Sequence, residues 1–129
     1  MTRDDLREII RLEHRIKDKE GLIIYLRSLA TRHTRPIGDK VQSGSVKDPM
    51  KPIDKAVDLE EEIREDICDL FQLKFEAYRW MSTLEGEEKR LMELRYIRGL
   101  PWREVAEHMS YSERRVYQLH SEVIRREFP

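Results

Sequence analysis

The chain has 129 residues, 25 basic and 26 acidic, for a formal net charge of −1. That length suffices for one small domain, or for a small domain plus an extended element, and the near-even balance excludes a uniformly basic protein that coats nucleic acid. Charged residues make up 40% of the chain and hydrophobic residues 39%, with five Gly and five Pro, which argues against an all-β sandwich and for long helices with polar outer faces.

From about Thr2 to Arg32 the sequence is charged, with an apolar stripe. Ile9, Leu12, Ile16, Ile23, Leu26 and Ala30 recur at steps near three and four, interrupted at Lys19. This is a heptad seam of about four repeats. Thr2 or Asp4 is placed to cap its start. Gly21 costs up to about 1 kcal/mol relative to Ala and marks a point where the helix is expected to bend or break.

Thr34 to Pro52 reads as a loop, with Pro36, Gly38, Gly44, Pro49, Pro52, Ser43 and Ser45. Its Lys40, Lys47 and Lys51 read first as a solvated tip and second as phosphate contacts. The heptad resumes from Ile53 to Leu84 through Ala56, Ile63, Ile67, Leu70, Ala77 and Met81, with Glu60 and Lys74 as polar intruders. Leu59, Leu73 and Tyr78 widen that face, and Phe71, Phe75 and Trp80 recur on another side. Two such stretches joined by a loop predict an antiparallel helical hairpin of coiled-coil character, with arms roughly 45 Å long at about 1.5 Å per residue. The apolar width left over suits a second subunit, so a homo-oligomer through the hairpin is expected. The run Glu60–Glu61–Glu62 reads as a solvated face rather than a metal site. Cys68 is the single cysteine, which leaves no internal disulfide; a semi-buried thiol is expected.

Ser82 to Gly86 reads as a hinge, and Arg90 to Arg98 as a support helix with Leu91, Leu94 and Ile97 inward, Met92 beside them and Tyr96 in the core. Gly99 is placed to end it in a left-handed cap. Pro101 opens a short helix to Met109, since proline costs nothing in a first turn. Ser110-Tyr111-Ser112 breaks the pattern, Tyr111 is placed to plug the corner, and Ser112 caps a final helix from Glu113 to about Glu127. Val105, Ala106 and Met109 share one face of the first of these helices; Val116, Leu119 and Val123 share one face of the second. Glu113, Arg114, Tyr117, Gln118 and Ser121 are left on the outer face, where a major groove accepts polar side chains.

The run LRYIRGLPWREVAEHMSYSERRVYQLH resembles the promoter-reading region four of bacterial sigma factors. It is closer to short phage and prophage regulators built on that domain, of the late-gene activator type. Leu94-Arg95-Tyr96, Gly99, Glu104-Val105-Ala106, Ser112 and Val116 carry the resemblance, which extends over the hairpin through the KVQSGSVKDPM loop. Ser110 stands where the pattern usually has Gly, and Glu113 precedes Arg114 where the pattern favours base before acid.

The fold class expected is therefore all-α: a helical hairpin over residues 1–84 and a three-helix helix-turn-helix domain over 85–129. The resemblance implies a sequence-specific binder of double-stranded DNA that regulates transcription together with RNA polymerase. Arg114 and Gln118 are candidates for guanine and adenine edges, Arg115, Ser112 and Arg103 for phosphate, and Tyr117 for a thymine methyl or the backbone. Glu113 and Ser121 complete the predicted DNA-binding set. Trp102 is expected in the core, and Arg125 and Arg126 are expected to complement the helix's negative end. His14, His33, His108 and His120 fall on separate elements, and no HExxH, CxxC or phosphate-binding glycine loop occurs, so neither an enzyme nor a cofactor or metal is expected. No signal peptide or apolar membrane-spanning run is visible, so a cytoplasmic, reduced protein is expected. Two alternatives stay open: a small terminase-like packaging subunit, and an interaction module that binds polymerase without DNA.

Overall fold

The computed structural model describes residues 1–34, 48 and 50–129. The described chain is all-α. α1 spans Arg3–Thr34 and α2 spans Met50–Met81; α3 (Gly86–Met92) continues into a π-helical turn (Glu93–Ile97); α4 (Trp102–Met109) and α5 (Glu113–Glu127) follow. The predicted loop at residues 34–52, with Lys40 and Lys47, lies mostly outside the described residues.

α1 starts as a reciprocal capping box. The Asp5 N–H donates to the Thr2 hydroxyl at 3.1 Å, and the Thr2 N–H donates to the Asp5 carboxylate at 2.9 Å. α1 runs unbroken through Gly21, contrary to the expected soft spot. Its neighbours on both sides favour helix strongly enough to carry one glycine. α2 starts three residues earlier than expected. The Asp48 carboxylate accepts from the Met50 N–H at 2.9 Å, and Pro52 falls within the first turn, where its missing N–H costs nothing.

Two compact units are present: Met1–Glu13 with Asp69–Pro129, and His14–Cys68. In the second, α1 and α2 pair antiparallel. Arg15 and Lys19 reach Asp66 at 3.3 and 2.7 Å, Lys19 lies 3.5 Å from Glu62, and Arg27 pairs with Glu60. Ile16, Ala30, Ala56, Leu59 and Ile63 are buried in this unit. The expected seam is corrected at one step. Ile67 is 49% exposed, while Asp66 is 7% exposed and occupies the inward position. Lys19 is the reason: the intruder on one helix is met by an acid on the other, and the ion pair takes the place of an apolar contact. The Asp66 hydrogen bond holds the Lys19 ammonium above its usual pKa. Cys68, expected to be semi-buried, is exposed beside Ile67 on the outer side. Of the acidic run, Glu60 pairs with Arg27, Glu61 with Arg64 at 2.6 Å and Glu62 with Lys19.

The first unit holds the larger core. Leu6 and Ile9 of α1 and Ala77 and Met81 of α2 are buried with Leu84, Leu91, Met92, Leu94, Tyr96, Val105, Ala106, Val116, Leu119 and Val123. The helix-turn-helix segment thus shares one core with the first turns of α1 and the last turns of α2. A polar lock joins the same elements. Lys74 pairs with Glu13 and donates to the Ile97 carbonyl at 2.9 Å. Gly99 has φ +68°, a backbone conformation that favours glycine, and a Cβ there would lie 2.6 Å from a Glu13 carboxylate oxygen, so any side chain would also displace the end of Glu13.

Gly21 is helical, exposed, and has no atom within 4 Å of where a Cβ would stand. Gly21→Ala should therefore stabilise the chain by about 0.5–1 kcal/mol, read as a raised melting temperature with unchanged helical content.

Candidate nucleic-acid interface

α3 and its π turn support α4 and α5. The π turn closes with the Arg98 N–H donating to the Glu93 carbonyl at 3.0 Å, a wider ring than the α-helix makes. Arg95 comes off this turn. One guanidinium N–H reaches the Leu100 carbonyl at 3.1 Å, and the group lies 4.4 Å over the Trp102 ring. The Trp102 indole meets Tyr117 and His120 edge-on, at centroid distances of 5.3 and 4.7 Å. Trp102 is half-buried against the core and braces the outward Tyr117 of α5.

The corner between α4 and α5 is a Schellman motif. Ser110 adopts φ 58°, ψ 38°; its N–H donates to the Glu107 carbonyl at 3.2 Å, and the Tyr111 N–H reaches back to the Ala106 carbonyl at 3.0 Å. Ser110 therefore takes the left-handed conformation that glycine would adopt without strain. Pro101, expected as the first helical residue of α4, is its N-cap. Arg90 of α3 donates to the otherwise open His108 carbonyl at 3.1 Å, which closes the α4 end. The Ser112 hydroxyl accepts from the Arg115 N–H at 3.1 Å and starts α5. Tyr111 does not plug the corner: it is 37% exposed and reaches across it to donate its hydroxyl to Glu87 of α3.

Val116, Leu119 and Val123 are buried at 2% exposure or less. The opposite side of α5 faces outward. Arg114, Tyr117, Gln118 and Ser121 are exposed and line one shallow depression with Glu122 and Arg125. The other predicted residues lie elsewhere. Arg103, on α4, is exposed and 3.5 Å from Glu107. Ser112 and Glu113 are exposed at the first turn. Arg115 turns towards α3, 3.6 Å from Glu87 and 5.7 Å from the Tyr111 ring centroid. Arg125 was expected only to balance the helix end but belongs to the outward row. Its spacing of four from Ser121 and seven from Gln118 is the signal for it. Arg126 instead forms a two-pronged pair with Glu88, at 3.0 and 2.5 Å, and ties the end of α5 to α3. That contact holds the Glu88 carboxyl below its usual pKa. Among the described residues no group of three His, Cys, Asp or Glu side chains is placed to hold a metal ion, and no helix is long and apolar enough to cross a membrane.

Residues 80–126 match the family model for sigma-70 region 4. The C-terminal segment is a sigma-factor-like helix-turn-helix. No curated protein and no solved structure matches the chain. The matched segment begins at Trp80, in the last turn of α2, and covers α3 to α5. The residues outside the match include Leu6, Ile9 and Glu13, which share the core and the lock of the region 4-like unit.

His120 is the one ring in this region with a large shift. Burial, with Arg95 nearby, lowers its pKa to about 4, so the ring is neutral, and its Nε2 is hydrogen-bonded with the Tyr96 hydroxyl at 2.8 Å. In the unfolded chain the ring takes up its proton near pH 6.5. Between those values the unfolded chain binds more protons, so stability falls as pH falls from about 6.5 towards about 4. Replacing His120 with Gln should flatten that part of the profile, as measured by urea unfolding across this pH range.

Proposed function

We propose that this protein is a sequence-specific double-stranded DNA-binding regulator of transcription, of the phage or prophage late-gene activator type, acting with host RNA polymerase. It is not an enzyme, needs no cofactor, and works in the cytoplasm. The observation that carries this reading is the outer face of α5. Arg114, Gln118 and Ser121 stand exposed on one side of a helix whose other side is buried, and the segment matches sigma region 4. Polar side chains on the early turns of such a helix can reach base edges in the major groove.

Arg114 and Gln118, one turn apart, read guanine and adenine edges; Ser112 and Arg103 hold phosphate on either side of the corner, as does Arg115 once it parts from Glu87. Tyr117, braced by Trp102, contacts a thymine methyl or the backbone. Glu113 and Ser121 border the contact. Self-association through the hairpin would present two such faces to one site. It is supported by Phe71, Phe75 and Tyr78, which are 70%, 55% and 55% exposed on α2. Sedimentation at several concentrations tests it; a monomer throughout would remove it.

Selection of sites from random duplexes, repeated with Arg114→Ala and Gln118→Ala, tests the reading. Each variant should relax preference at particular bases, by about 1–3 kcal/mol of discrimination, while Arg115→Ala should weaken all sequences alike. Enrichment of no sequence by the unaltered chain, or identical preferences in both alanine variants, would overturn it.

A further inference from the structure

We propose that Arg3 and Arg7 of α1, with Arg125 of α5, form a clamp for a backbone phosphate of the duplex beside the reading face. This rests on the reading of α5 as the DNA-facing helix and extends the contact to a segment outside the sigma region 4 match.

A second recess lies next to the depression on α5, lined by Arg3, Arg7 and Arg125 together with Tyr96, His120 and Ser121. Ser121 and Arg125 line both, so the two form one continuous band along the helix. Three arginines thus line one recess, and a guanidinium matches the geometry of a phosphate with paired N–H donors. His120 adds no charge, because burial keeps its ring neutral, and its Nε2 is already hydrogen-bonded with the Tyr96 hydroxyl.

The arginines are positioned but not consumed. Arg3 donates to the Phe128 carbonyl at 2.8 Å, which uses one of its five N–H groups. Arg7 is 3.3 Å from Asp4, with side chains 63% and 89% exposed, a contact that a phosphate can displace at a small cost. The remaining acid on the band is Glu122, at the edge of the α5 depression. The burial of Leu6 and Ile9 in the helix-turn-helix core keeps this turn of α1 in place.

The test is the salt dependence of duplex binding by the full chain. Arg3→Gln with Arg7→Gln should weaken selected and scrambled duplexes by the same factor. The slope of log K against log salt should become shallower by up to about 1, since each neutralised phosphate contributes about 0.9. Base preference should be unchanged, and Arg3→Lys with Arg7→Lys should keep most of the slope. Arg7→Gln alone, which breaks no contact to another helix, should show about half the change and guards against misfolding. Unchanged affinity and slope in the Gln variants, with unaltered chain still binding, would overturn the clamp and leave the α5 reading standing. No duplex binding by the unaltered chain at low salt would overturn both. Lost binding to polymerase with unchanged DNA affinity would assign these arginines to an acidic protein surface instead, and would also overturn the clamp.

Discussion

The rotation of α5 about its own axis depends on the buried row Val116, Leu119 and Val123. With about 100° between successive residues, burying that row leaves Arg114, Gln118, Ser121 and Arg125 within a narrow arc on the opposite side. The row fits against Leu91 and Met92 of α3 and Val105 and Ala106 of α4, so the rotation is set by side-chain shape. Polar contacts then fix the helix at both ends: the Ser110–Ser112 corner at the start, and the Arg126–Glu88 pair at the finish. Losing the buried row would leave the polar face without a direction.

The supporting core is wider than the region 4 match. Leu6 and Ile9 bring the first turns of α1 into it, and the Glu13–Lys74 pair bridges α1 and α2 at the π turn. Lys74 satisfies the Ile97 carbonyl at the end of that turn, where the backbone departs from the regular helical ladder. The absence of a side chain at Gly99 makes room for Glu13. One lysine, one glutamate and one glycine, far apart in sequence, thus hold the end of the support helix to both long helices.

Much of this was legible in the sequence because it is local. The periodicity of Ile9, Leu12 and Ile16, the Gly99 cap, the Ser112 cap and the two-sided pattern of α5 each follow from spacing within a few turns. The failures share a cause. Lys19 reads as an interruption until Asp66, on the other helix, is known to meet it, and the displacement of Ile67 and Cys68 to the outside follows from that pairing. The π turn leaves no periodic mark over five residues. Arg3 and Arg7 look like ordinary charged helix surface; only the fold brings them to Arg125. Tyr111 illustrates the same limit on a smaller scale: its position at the corner was clear, but its hydroxyl partner on α3 was not.

Backbone amide shifts of the full chain, followed by NMR during titration with a selected duplex, bear most directly on the claim that the outer side of α5 is where this protein meets DNA. The account predicts the largest changes at Arg114, Gln118, Ser121 and Arg125, with little at Val116, Leu119 and Val123 beyond their sequence neighbours' effect. Changes confined to the unit His14–Cys68, with α5 unmoved at saturation, would contradict it.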